Sequence, residues 1–187
     1  GAPVEPVAPA GHHGGLGGGS VAVEMITTNL EMREHPRLQA RWPQRGGMLL
    51  RLEEPSVPFY RYLHQRMGGE ADPLRGLSDA DLMERLVDPG LDVFVFYLGG
   101  APAGFFELDR RQEGQVQLVR LGLFPEFRGR HLGKWLLSFA VDAAWDYGPE
   151  RVWTSVTERD DLRTLLLCQW AGFVPYETTR EGGSGVP

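Results

Sequence analysis

The sequence predicts a mixed α+β sheet, and three observations predict it. Residues 93–123 hold runs rich in β-branched and aromatic side chains, broken by turn residues such as Gly99-Gly100. Residues 132–145 repeat apolar side chains at helical spacing. From residue 116 onward the order is strand, helix, strand, helix, strand, so helices separate strands only in the second half. A hydrophobic content of 42% over 187 residues is enough for one domain with a full core.

Taken in order, residues 1–20 are rich in Gly, Pro and Ala without a hydrophobic period, and read as a disordered tail or expression remnant that includes His12-His13. The folded domain is expected over 21–180, with a flexible tail at 181–187. Val21, Val23, Met25, Leu30 and Met32 make a first strand over 21–33. Arg33, Arg37, Arg41 and Arg45, with Pro36, Pro43 and Gly46-Gly47, read as a basic surface loop. A short strand is expected at 48–53 and a helix at 57–67. Ser78 and Asp81 read as the N-cap of a helix carrying Leu82, Met83, Leu86 and Val87, which Pro89-Gly90 ends. Strands follow at 93–98, 103–108 and 116–123.

Leu132, Leu136, Leu137, Ala140, Val141, Ala144 and Trp145 then form one stripe of a helix that Gly148-Pro149 stops. A strand at 151–156 precedes Thr157-x-x-Asp160, which reads as a capping box. The next helix ends at Ala171 with Gly172 as its cap, and residues 173–178 make the last strand.

Several function classes are excluded or disfavoured. A net charge of -6 argues against nucleic-acid binding and is compatible with a cationic substrate. The single cysteine, Cys168, cannot form an intrachain disulfide, which favours a reducing compartment. No apolar run spans a bilayer and no leader pattern is seen, so a cytoplasmic protein without membrane partners is expected. Zinc spacing, a dinucleotide fingerprint within the folded part and a Gly-x-Ser-x-Gly elbow are all missing, so no metal is expected.

Residues 121–134 carry the chemistry. Leu121-Gly122-Leu123-Phe124-Pro125-Glu126-Phe127 ends a strand and turns. Arg128-Gly129-Arg130-His131-Leu132-Gly133-Lys134 then opens the long helix. A helix start presents free N–H groups and a positive dipole end, glycines admit a close ligand, and arginines bind phosphate. The segment is built as an anion cradle. It is not a Gly-x-x-x-x-Gly-Lys-Ser/Thr loop, because Trp135 stands at the magnesium-binding position.

This segment resembles motif A of the GNAT acyltransferase superfamily, (Arg/Gln)-x-x-Gly-x-(Gly/Ala), with His131 in place of the middle glycine. Residues 93–177 resemble bacterial members that carry Gly104-Phe105-Phe106-Glu107-Leu108-Asp109-Arg110-Arg111 and Gly122-Leu123-Phe124-Pro125-Glu126-Phe127. The resemblance implies a mostly antiparallel mixed sheet flanked by helices. It implies acetyl-CoA as co-substrate and direct attack by an amine of a small molecule or protein, and it leaves homodimerisation open. By position, backbone groups of Leu121, Gly122 and Leu123 would pair with the pantetheine arm in a gap between strands 116–123 and 151–156. The amides from Arg128 through Gly129, Arg130, His131, Leu132 and Gly133 to Lys134 would hold the pyrophosphate.

Three residues are candidates for proton transfer. The usual glutamate position holds Gln117, so Glu107 is the first choice as base. Asp109 lies on the same strand face by period-2 alternation; both also fit as solubilising charges. Cys168 stands where the resemblance places a tyrosine acid, and otherwise reads as a small buried residue. With Gln117, His131, Asp161 and Cys168 departing from the pattern, a degenerate module that binds acyl-CoA weakly, or a protein-interaction domain, is the competing reading.

Overall fold

The computed structural model describes residues 25–39, 46–68, 74–158, 160 and 162–181. The expected tail at 1–20, residues 182–187 of the tail expected over 181–187, the strand start at 21–24, Arg41, Arg45 and Asp161 lie outside these residues, while Glu181 ends a strand. The elements are β1 (Met25–Met32), β2 (Gly47–Arg51), α1 (Val57–Gly68), α2 (Asp79–Val87), β3 (Leu91–Leu98), β4 (Ala101–Asp109), β5 (Gln115–Leu123), α3 (Leu132–Trp145), β6 (Arg151–Thr157), α4 (Leu162–Trp170) and β7 (Val174–Glu181). A single 3-10 turn, Pro125–Phe127, leads from β5 toward α3.

Seven strands form one sheet in the order β2-β3-β4-β5-β6-β1-β7. Every pairing is antiparallel except β5 with β6. This is the mixed, mostly antiparallel α+β sheet expected from the sequence. β3 and β4 read as nearly continuous apolar runs because both sheet faces are covered there. Val93, Val95 and Phe105 pack with Val57, Tyr60, Leu63 and Leu82 of α1 and α2. Phe96, Phe106 and Leu108 pack with Trp135, Leu136, Ala140 and other residues of α3 on the opposite face. Each large side chain buried this way contributes roughly 1.5–3 kcal/mol.

Local signals behave as their chemistry requires. Ser78 and Asp81 close a reciprocal capping box at the start of α2. Asp160 differs from the expected box, because α4 begins only at Leu162. Its carboxylate still makes one half of that box, accepting from the Thr157 N–H at 2.6 Å, and also accepts from the Thr157 hydroxyl at 3.0 Å. At the end of α4 the Phe173 N–H donates to the Cys168 carbonyl at 3.0 Å, the wide closing bond of a Schellman turn.

One arrangement is not legible in the sequence. β1 crosses the molecule to lie between β6 and β7, with Leu30 opposite Thr154 on one side and Pro175 on the other. Its buried residues Leu30 and Met32 seal the core under α3, where Trp145 Nε1 donates to the Met32 sulfur at 3.2 Å.

Candidate active site

β5 and β6 run parallel from Gln115↔Arg151 to Leu118↔Thr154 and then part. The Thr154 hydroxyl donates to the Leu118 carbonyl at 2.8 Å, closing the fork. Beyond it the strands enclose a cavity of about 410 Å³. Val119, Arg120 and Leu121 line one wall, Ser155, Val156 and Thr157 the other. α1 contributes Met67, α3 contributes Leu137, and Asp160, Thr164, Leu167 and Cys168 close the far side. The gap expected between these strands is therefore present, and it leaves the last part of β5 without a β6 partner.

The cradle adjoins this cavity. Leu167 of the cavity wall lies 3.6 Å from where a Cβ on Gly133 would stand. The α3 amides at Leu132, Gly133 and Lys134 have no carbonyl one turn earlier to bond, and His131 offers no side-chain cap. Two cations flank them. The Arg130 guanidinium sits 5.4 Å from the Phe127 ring centre, and Lys134 Nζ sits 4.8 Å from that of Trp170.

His131 occupies a left-handed conformation, φ 60° and ψ 20°. That is the reason the resembling motif has glycine there: without a Cβ the conformation is free of the clash an L residue meets. The imidazole itself is exposed. Arg128 does not aim at the cradle. Its Nε donates to the Leu123 carbonyl and its Nη2 to the Met67 carbonyl, both at 3.1 Å, tying the end of β5 to the end of α1. An ion pair between Arg66 of α1 and Glu126 of the 3-10 turn ties the same region.

Glu107 is fully buried, and neither it nor Asp109 lines the cavity. Its carboxylate receives His64 Nε2 and Arg85 Nη2, each at 3.2 Å, while Arg85 Nε donates to the Tyr60 hydroxyl at 3.1 Å. Burial would raise the Glu107 pKa, but the His64 hydrogen bond and charge, with help from Tyr60 and Arg85, hold it below the usual carboxylate range. The cluster pins α1 and α2 to β4. Asp109 lies at the rim, its carboxylate 2.6 Å from Arg111 Nη2. It lines a separate depression of about 300 Å³ with Gln115, Gln117 and Trp153.

Cys168 does face the cavity. Burial, followed by the nearby Asp160 charge, pushes its thiol up to about 11. It therefore stays protonated across neutral pH. Two cavity residues escaped the sequence reading of the site, Arg120 and Asp160. An arginine inside the apolar run Leu118-Val119-Arg120-Leu121 was the available signal for the first; the second read only as a helix-start charge.

Comparisons with known proteins agree with this geometry. No curated protein matches the sequence. A tandem GNAT protein from the clavulanic acid biosynthesis pathway superposes with a TM-score of 0.61 at 20% identity, over 89% of this chain and 55% of that one. An aminoglycoside acetyltransferase from an uncultured soil metagenomic sample, in complex with sisomicin, gives 0.54 at 19%, over 67% and 87%. The ribosomal-protein-S18-alanine N-acetyltransferase of Escherichia coli gives a TM-score of 0.55 at 19%, over 67% and 76%. The chain spans only 50% to 59% of the length of several of the structures it matches. At these identities the likeness shows the fold. The sequence model of the Acetyltransferase (GNAT) family matches residues 58–173, most of the described domain, and with the forked strands and the amide cradle in place the chain belongs to that family.

Proposed function

We propose that this protein is an acetyl-CoA-dependent N-acetyltransferase acting on a primary amine of a small molecule or protein. The observation that carries the reading is the cavity between β5 and β6, which adjoins the amides at the start of α3. A cavity between parted strands, next to a helix start with free amides, suits a ligand with a slender arm and a diphosphate.

Bound there, acetyl-CoA would supply an activated acyl carbon. The exposed edge of β5 at Leu121 to Leu123 offers backbone groups to the arm and a donor for the thioester oxygen. The amine nitrogen bonds to the acyl carbon, and the carbon–sulfur bond breaks. Among the described residues Asp160 is the carboxylate lining the cavity, so we assign it the proton leaving the amine. To Cys168, which lines the cavity and stays protonated, we assign the return of a proton to the departing sulfur. In this reading Glu107 positions α1 and α2, and Asp109 lies outside the reacting centre.

The strained His131 favours one alternative, a degenerate module with weakened acyl-CoA affinity. Calorimetric titration with acetyl-CoA separates the two. Micromolar binding, with amine-dependent thiol release that Asp160→Asn slows about 100-fold or more, supports the enzyme. No heat at millimolar acetyl-CoA rejects it.

A further inference from the structure

Arg120 is the half-buried arginine whose charge the fold does not use. Arg61 is paired with Asp79, Arg66 with Glu126, Arg85 with Glu107, Arg110 with Asp92 and Arg151 with Glu31. Among the described residues the Arg120 guanidinium has no carboxylate, carbonyl or ring partner, yet it lines the cavity. Taking a guanidinium partly out of water is costly unless an anion or acceptor compensates.

Its natural partner is already engaged. Glu107 lies directly across β4 from Arg120, on the same sheet face. Both carboxylate oxygens of Glu107 are taken, one by His64 and one by Arg85. The α1–α2 cluster thus withdraws the neighbouring negative charge and leaves Arg120 with its fork open to the cavity. Beside it the Met67 side chain fills the space that a side chain on Gly122 would take, 3.0–3.2 Å from where its Cβ would stand.

We propose that Arg120 binds a carboxylate of the acceptor, so that the substrate class is amines that also carry a carboxylate, such as amino acids. This rests on the acetyltransferase reading and narrows it. Guanidinium and carboxylate meet in a planar, two-bond pairing that an ammonium cannot reproduce. Among the described residues the cavity wall holds one carboxylate, that of Asp160, besides this cation. One positive and one negative side chain suit a monoanion joined to an amine, and disfavour a doubly charged phosphate.

The test measures binding directly, with and without CoA. Wild-type protein and the Arg120→Met and Arg120→Lys variants are titrated calorimetrically with glycine, β-alanine and 4-aminobutyrate, with the amide of each, and with phosphoethanolamine. At least one acid is expected to bind about 10- to 100-fold more tightly than its amide. Arg120→Met should bring that ratio near one, and Arg120→Lys should keep an intermediate ratio. Because Arg120 has no partner among the described residues, thermal unfolding of both variants should be no lower than that of wild type.

Equal binding of acids and amides, or no acid binding at millimolar concentration, overturns the proposal. So does a preference that survives in Arg120→Met, or phosphoethanolamine binding more tightly than every acid. Acetyl-CoA affinity of the wild type is measured separately. Its loss would sink the acetyltransferase reading while the acid-over-amide ratio still reports on Arg120.

Discussion

At the scale of single residues, His131 is the most consequential departure. It holds the left-handed conformation that the cradle requires, and an L residue in that conformation costs about 1–2 kcal/mol. His131→Gly should therefore stabilise the protein by about 0.5–1 kcal/mol, after allowing for the extra freedom of glycine in the unfolded chain. Thermal unfolding checks this, with a rise of about 1–4 °C expected for a chain of this size. Acetyl-CoA affinity should rise in the same variant, since the amides keep their geometry and lose a neighbouring side chain. A lower melting temperature would show that the imidazole earns its place by a contact.

The other residue-scale lesson concerns Glu107. Its spacing with Asp109 was legible in the sequence, and strand alternation correctly suggested a shared face. What could not be read was His64, 43 positions earlier, or Arg85, 22 positions earlier, closing over the carboxylate. A sequence displays which groups can ionise, but burial decides whether water reaches them.

Among the elements, the junction of β4, β5 and α1 is built to tight tolerance. A Cβ on Gly104 would stand 2.4 Å from the Gly122 carbonyl oxygen, a backbone atom that cannot swing away. Gly104→Ala should cost roughly 2 kcal/mol or more, read as a lower denaturant midpoint, and should push on β5 at Gly122, next to the cavity residue Leu121. An unchanged midpoint would mean that the two strands separate easily there. Arg128 belongs to this junction too. The basic residue expected to meet phosphate instead braces two carbonyls, and Arg130 and Lys134 are the cations left beside the amides. Helices and strands were recovered nearly to their ends because caps and apolar periods are local. The direction of a long arginine side chain is not local.

For the whole molecule, acid is the informative perturbation. Glu31, Asp81, Glu107, Asp109 and Glu126 are all held below their ordinary pKa values in the folded state. For Glu31 the leading cause is the Arg151 hydrogen bond; for Asp81 it is Ser78. For Glu107 and Asp109, burial opposes the shift and is outweighed by His64 and Arg111, respectively. For Glu126 the leading cause is its own backbone N–H. A depressed carboxylate stabilises the fold above the unfolded pKa, and that stability is lost as pH falls through the folded value. Stability should therefore decline as pH drops below about 4.5, with little change between pH 6 and 8 from these groups. Glu107→Gln should lower stability at pH 7 by about 3 kcal/mol, by breaking a buried pair, and should flatten the acid limb of the curve. Denaturant unfolding across pH measures both effects; an acid limb as steep as wild type would show that Glu107 is not ionised in the fold.

By itself, the sequence determined the elements, their order and the glycine-containing basic loop that leads into α3, because apolar periodicity, caps and turn residues act over a few positions. It also carried the family, since motif A is one continuous stretch. Tertiary structure alone decided that β1 enters between β6 and β7, that β5 and β6 fork after Leu118 and Thr154, and that Glu107 is claimed by helices while Arg120 is left open to the cavity. Those outcomes depend on which distant side chains compete for the same buried charge and the same strand edge, and that competition is settled only when the chain packs.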